Sequence, residues 1–207
     1  RLEIVNLNKE VLSEVELSKA EIFNFTGGYN DTVQGWIFKP TNFDSAKKYP
    51  VALLIHGGPE SSWTSGWSYR WNPQLFTNHG YAVVMINPHG STGVSTKFRE
   101  AVRNDFGGVP FEDIINGLKY AIYNNEYMDE NRVCAAGGSY GGNMINWIEG
   151  HGDAFDFKCL VNHDGDFSSI GEFYASDEVF YEMFDFCPKA KPGCKPYESK
   201  EIRRGFE

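Results

Sequence analysis

The sequence predicts an α/β fold built on a mostly parallel sheet. Three observations predict it. Pro50 to Ile55, Tyr81 to Ile86 and Arg132 to Ala136 contain short, unbroken apolar runs, the pattern of strands buried on both faces. Apolar residues at helical spacing fall between the runs, most clearly over 110–124. Strand and helix then alternate from residue 50 onward, as in successive βαβ units.

The elements follow in order. Residues 1 to about 20 alternate weakly (Leu2, Ile4, Val5, Leu7, then Val11, Val15, Leu17), and Asn8-Lys9-Glu10 is expected to turn a hairpin. Val33 to Lys39 is a strand stopped by Pro40, and 41–49 is a polar loop. The strand at Pro50 to Ile55 stops at His56-Gly57-Gly58-Pro59. Trp71, Leu75 and Phe76 suggest a helix over 69–79. Tyr81 to Ile86 ends at Asn87-Pro88-His89-Gly90-Ser91-Thr92-Gly93, a loop dense in turn formers. The helix over 110–124 has Pro110 in its first turn, and Glu112 and Asp113 at the positive end of its dipole. Phe111, Ile114, Ile115, Leu118, Ala121 and Ile122 make its apolar stripe. Arg132 to Ala136 runs into a glycine cluster, a helix follows over about 140–149, and Cys159 to Val161 belongs to a fourth strand.

Composition narrows the function classes. A net charge of −9 and a pI near 5.1 argue against nucleic acid and anionic membrane as partners. The apolar runs are far too short to cross a bilayer. The absence of CxxC, HExxH and P-loop patterns gives no support to a metal or nucleotide cofactor, and none is expected. The chain opens Arg-Leu-Glu, without Met or a visible signal peptide, and reads as an excised piece. Cys134 and Cys159 sit in apolar runs and are expected to be free, buried thiols. Cys187 and Cys194 bracket Pro-Lys-Ala-Lys-Pro-Gly, so short a loop that a disulfide between them is expected. That bond would place the protein in an oxidising compartment, secreted or lumenal, with the cytoplasm as the alternative.

The candidate catalytic residue is Ser139, in Gly137-Gly138-Ser139-Tyr140-Gly141. The motif follows a buried strand and opens a helix, the context in which GxSxG forms a nucleophile elbow. A sharp turn lifts the serine Oγ above the sheet and demands small neighbours, which Gly137 and Gly141 supply. The following helix points its positive end at a developing oxyanion. The Tyr140 N–H is then the first oxyanion donor, and the Gly58 N–H, from the loop after an earlier strand, the second. His56 is expected to order its loop rather than act as a base. His89, His151 and His163 lack a catalytic context. His163-Asp164-Gly165-Asp166 is expected to line the site without holding metal, because it offers only adjacent residues.

At these residues the sequence resembles the prolyl oligopeptidase family, in its acylaminoacyl peptidase and dipeptidyl-peptidase V branch. The stretches that carry the resemblance are 49–59, 87–93, Asp105-Phe106-Gly107-Gly108, Gly138 to Gly142 continuing through Ile148, and Val161-Asn162-His163-Asp164-Gly165. His89 stands where the family usually has Arg, and Phe106 where it usually has Trp. The resemblance implies an α/β-hydrolase fold with helices on both faces, truncated at its C-terminal side. It makes 1–22 the end of an N-terminal β-propeller and 23–207 an incomplete peptidase domain. It implies a serine peptidase that hydrolyses short peptides near the N-terminus through an acyl-enzyme on Ser139. The family's Asp and His would lie beyond this chain, leaving it inactive alone. A substitute within the chain, Asp153 or Asp156 with His163, keeps the required order of acid and histidine but not their usual place. An esterase or lipase, and a non-catalytic binding module of the same fold, are the competing readings.

Overall fold

The structure, a computed structural model, describes residues 7–187. A six-stranded sheet forms its centre, in the order β1-β2-β4-β3-β5-β6. The strands are β1 (Ala20–Thr26), β2 (Thr32–Phe38), β3 (Tyr49–Ile55), β4 (Ala82–Asn87), β5 (Met128–Gly138) and β6 (Cys159–His163). β1 and β2 form an antiparallel hairpin, and β2 runs antiparallel to β4. β4, β3, β5 and β6 are parallel.

Period-two alternation sorts the strand residues onto two faces. Val51, Leu53 and Ile55 of β3 join Ala82, Val84 and Ile86 of β4 in the larger core. That core is covered by α4 (Val109–Tyr123) and α5 (Tyr140–Gly150). Ala52, Leu54, Val83 and Met85 face the other way, against Trp63 and Phe76. Phe76 lies on α2 (Pro73–Thr77), which covers part of this second face. The remaining helices are α1 (Lys9–Ser13), α3 (Thr96–Glu100), α6 (Ser169–Ala175) and α7 (Val179–Phe186). Among the described residues no helix is long and apolar enough to cross a membrane.

Several expectations need correction. Asn8-Lys9-Glu10 does not turn a hairpin: Lys9–Ser13 is a helical turn with no buried residue. The helix expected over 69–79 is only Pro73–Thr77, because Asn72 Oδ1 accepts the Gln74 N–H at 3.0 Å and Pro73 occupies the first turn. Trp71 is therefore outside the helix. β1, a strand not expected from the sequence, pairs Ala20 with Phe38 and Ile22 with Trp36.

The cysteines also differ. Cys134 and Cys159 are not free thiols but a disulfide. The parallel register of β5 and β6 puts them directly opposite each other, with Cα atoms 4.7 Å apart, inside the range a disulfide bridges. The expected Cys187–Cys194 bond involves Cys194, which lies outside the described residues.

Candidate active site

Ser139 sits between the end of β5 and the first residue of α5, at φ 56° and ψ −124°. Positive φ at a non-glycine residue is uncommon, and this region is strained for a side chain with a Cβ. The surroundings hold the turn in place. The Ser139 N–H donates to the His163 carbonyl at 3.0 Å and to Asp164 Oδ1 at 2.9 Å. The Ser139 carbonyl accepts the Asn143 N–H at 2.9 Å, starting the helix.

The glycines earlier read as space-makers do have that role. A Cβ on Gly137 would collide with the Gly141 carbonyl, and one on Gly141 with the Ile55 carbonyl. Gly57 packs against the serine itself: a Cβ there would lie 3.2 Å from Ser139 Cβ and 3.0 Å from the Gly138 carbonyl. Gly142 and Gly165 let the start of α5 approach the loop after β6, where a Cβ on Gly142 would lie 2.7 Å from Gly165 Cα.

The two expected oxyanion donors flank this turn. The Tyr140 N–H is the first amide of α5, a position with no intrahelical acceptor. The Tyr140 side chain points into the core, donates its hydroxyl to the Phe106 carbonyl at 2.8 Å, and has its pKa pushed up by burial. Gly58 adopts φ 125°, open to glycine but strained for other residues. It lines one cavity together with Gly57, Ser139, His163 and Asp164. The cavity measures about 960 Å³ and extends under Trp63, Trp67 and Trp71.

The histidines have structural partners. His56 is buried, its Nδ1 lies 2.7 Å from the Gly57 carbonyl and its Nε2 3.0 Å from Ser91 Oγ. Nδ1 thus donates to the carbonyl and Nε2 accepts the Ser91 hydroxyl, while burial lowers the pKa and keeps the ring neutral. His89 is also buried, with Nδ1 2.6 Å from Asp113 Oδ2, Nε2 3.3 Å from Asp31 Oδ2, and its ring stacked on Phe98. Asp113 further accepts the N–H groups of Gly28 and His89, so it ties the β1–β2 connection to the loop after β4. His151 Nδ1 bonds to the Trp147 carbonyl at 2.8 Å. The His163 ring packs edge-on against Trp71 and lies 3.8 Å from Asp164. Among the described residues no hydrogen bond joins a histidine to Ser139 Oγ.

Two features near the site escaped the sequence reading. Trp71 reaches back over the elbow, where a Cβ on Gly138 would lie 2.8 Å from its ring. The second feature is a group of buried acids in α6 and α7. Burial raises Glu182 to about 8 and Asp185 to about 7, and the charges of Glu172 and Asp166 add to the shift at Glu182. Glu172 rises to about 6, again chiefly through burial. Single acids separated by 10 and 3 positions give no motif in sequence.

Comparison with known proteins decides the family. The model described as the prolyl oligopeptidase family matches residues 67–201. Dipeptidyl-peptidase 5 of Schizosaccharomyces pombe is 42% identical over an alignment that covers 98% of this chain and 29% of that protein. The chain belongs to the prolyl oligopeptidase family. Dipeptidyl-peptidase 5 of Trichophyton equinum is 45% identical over 77% of the chain and 22% of its own length. The acylaminoacyl peptidase of Pyrococcus horikoshii superimposes with a TM-score of 0.85 at 25% identity, covering 99% of this chain and 32% of that structure. An acylaminoacyl peptidase structure in complex with Z-Gly-Gly-Phe-chloromethyl ketone gives a TM-score of 0.84 at 26% identity, covering 97% of this chain and 31% of that one. This member of the prolyl oligopeptidase family therefore spans under a third of the length of the relatives it matches, and its fold is that of their α/β-hydrolase sheet.

Proposed function

We propose that Ser139 is the nucleophile of a serine peptidase that cleaves short peptides near the N-terminus, of dipeptidyl or acylaminoacyl type. The observation that carries this reading is the strained Ser139 backbone, fixed by Asp164 and His163 beside an open cavity. Strain of that kind persists where the surroundings over-determine it, typically at reacting groups. The dipeptidyl and acylaminoacyl peptidases among the relatives support the substrate class.

In the proposed reaction the Ser139 Oγ attacks the scissile carbonyl and a histidine takes its proton. The tetrahedral oxyanion is held by the Tyr140 and Gly58 N–H groups, helped by the positive end of α5. The protonated histidine then gives its proton to the leaving amine, and water hydrolyses the acyl-enzyme by the reverse route. His56 is unsuited as the base, since both ring nitrogens are engaged away from Ser139. We propose that the base and its acid partner lie beyond this chain, since neither 1–6 nor 188–207 carries a histidine. We also propose that residues 1–22 are the end of a preceding propeller domain and 23–207 an incomplete peptidase domain. The Cys134–Cys159 disulfide supports a secreted or lumenal location.

The test is a comparison of the whole protein on dipeptidyl amides, N-acylaminoacyl amides and short-chain esters. The reading expects the highest kcat/KM on one of the two amide classes. Efficient turnover of esters with no measurable amide cleavage would contradict it.

A further inference from the structure

The sequence offers no metal motif, and Asp166 has only adjacent residues beside it. The fold changes that. Asp166 follows β6, Glu172 lies on α6 and Glu182 on α7, and the structure brings one carboxylate oxygen of each within 4.8 Å of the other two. A calcium ion takes oxygen ligands at about 2.3–2.6 Å, so two ligands across one ion stand roughly 4.6–5.2 Å apart. The three oxygens lie no farther apart than one ion can span.

A cluster of acids alone would be unremarkable, but Glu182 is different from a solvated acid. It is 1% exposed, and its Oε2 is buried with no hydrogen-bond partner among the described residues. A carboxylate in that state is costly unless something compensates it. Glu172 interacts with both of the others. Asp166 and Glu172 are half-buried, which leaves a route from solvent. Asp166 is also set in place from the nucleophile helix: its carbonyl accepts Asn146 Nδ2 at 3.1 Å, and its Oδ1 accepts the Ser168 N–H at 2.8 Å.

We propose that Asp166, Glu172 and Glu182 form a binding site for a hard divalent cation of the calcium class, which fixes α6 and α7 to the loop beside the nucleophile helix. The remaining coordination positions are filled by water, as is usual for this ion. The cation neutralises three converging carboxylates and gives the buried Glu182 oxygen its missing partner. Its role is structural: it ties α6 and α7 to the loop after β6, beside the packing of α7 on Phe106.

The experiment uses the whole protein, stripped with EGTA and then supplied with millimolar CaCl2, and follows the thermal unfolding midpoint. Calcium-45 equilibrium dialysis runs in parallel. The proposal expects a rise of several degrees, since a ligand bound by the folded state alone stabilises it, and one calcium retained per chain. Both effects should be lost in Glu182→Gln and weakened in Glu172→Gln, which changes a half-buried position and serves if the first variant does not fold. Glu149→Gln, an exposed acid at the far end of α5, should respond like the parent. No midpoint rise and no retained calcium in the parent would overturn the proposal. So would a Glu182→Gln or Glu172→Gln variant that responds fully. A raised KM for free-amine substrates in these variants, without any calcium response in the parent, would assign the carboxylates to an ammonium group instead and equally overturn it.

Discussion

The Ser139 amide donates to Asp164 Oδ1 at 2.9 Å, so the backbone of the proposed nucleophile is held by a carboxylate on the next strand's loop. Asp164 is itself at φ 45°, so two strained residues support one another. The relationship predicts that Asp164→Ala slackens the elbow and misplaces Oγ. Hydrogen bonds to charged groups contribute about 1.5–3 kcal/mol when protected, and this one is exposed. A loss in kcat/KM of roughly tenfold, about 1.4 kcal/mol of barrier, is therefore expected. Asp164→Asn keeps the acceptor oxygen and should retain most activity. Steady-state kinetics on the three proteins checks this.

The elbow glycines predict a contrast within one helix. Gly141→Ala would drive its Cβ into the Ile55 carbonyl, with the His56 carbonyl 3.0 Å away. Backbone cannot move aside as a side chain can, and the expected outcome is a loss above about 3 kcal/mol or no soluble protein. Gly150, at the other end of α5, has nothing among the described residues within 4 Å of an added Cβ. Gly150→Ala should be neutral or slightly stabilising, by up to about 1 kcal/mol. Denaturant midpoints separate the two.

The parallel register of β5 and β6 predicts a Cys134–Cys159 bond that closes a loop with a sequence separation of 25. Peptide mapping without reduction should recover the linked pair, and the same map tests Cys187 with Cys194. A loop of that size gives a stabilisation of about 3 kcal/mol in the chain-entropy account. Reduction, or Cys134→Ser with Cys159→Ser, should lower the unfolding midpoint by several degrees. Two free thiols at 134 and 159 in alkylated native protein would refute the bond.

These outcomes show what the sequence carries and what it does not. The parallel strands, α4 and the elbow are legible because each is local: an apolar run, a periodic stripe, or glycines around a serine. The disulfide is not legible, since it depends on a register between strands whose cysteines are 25 positions apart. β1 escapes because its outward residues include Ile22, 56% exposed, which blurs the alternation. The start of α2 is set by the Asn72 cap and Pro73, which override the apolar spacing through Trp71. The acid cluster joins three elements and has no signature along the chain. His89 reads as a loop residue, and its buried role emerges only when Asp113 and Asp31 converge on it.

Asp185 predicts a pH dependence. Its side chain is 1% exposed, its Oδ1 lacks a hydrogen-bond partner among the described residues, and its pKa is raised to about 7 from an ordinary 3.8. Burial is the main cause, Glu60 adds to it, and Arg103 opposes it. A carboxyl raised in the folded state keeps its proton there after the unfolded chain has lost it. Below pH 3.8 both states are protonated and the group costs nothing. From there to about pH 7 the folded state binds more protons, so stability falls as pH rises, and above that the full penalty applies. Asp185→Asn should flatten this slope and raise stability at pH 8 more than at pH 4. Urea unfolding across that range, in EGTA, checks the sign.

The central claim is that Ser139 forms the acyl-enzyme, and covalent labelling tests it most directly. The whole protein, its Ser139→Ala variant and the 207-residue chain are treated with a fluorophosphonate probe, and the labelled peptide is identified by mass spectrometry. The account predicts one label, on Ser139, absent from the variant, whose turnover falls by several orders of magnitude. It predicts far slower labelling of the 207-residue chain, because Ser139 there has no histidine bonded to its Oγ among the described residues. A label on another residue, near-normal turnover of Ser139→Ala, or equal labelling of the short chain would contradict it, the last by placing a base such as His163 within the chain itself.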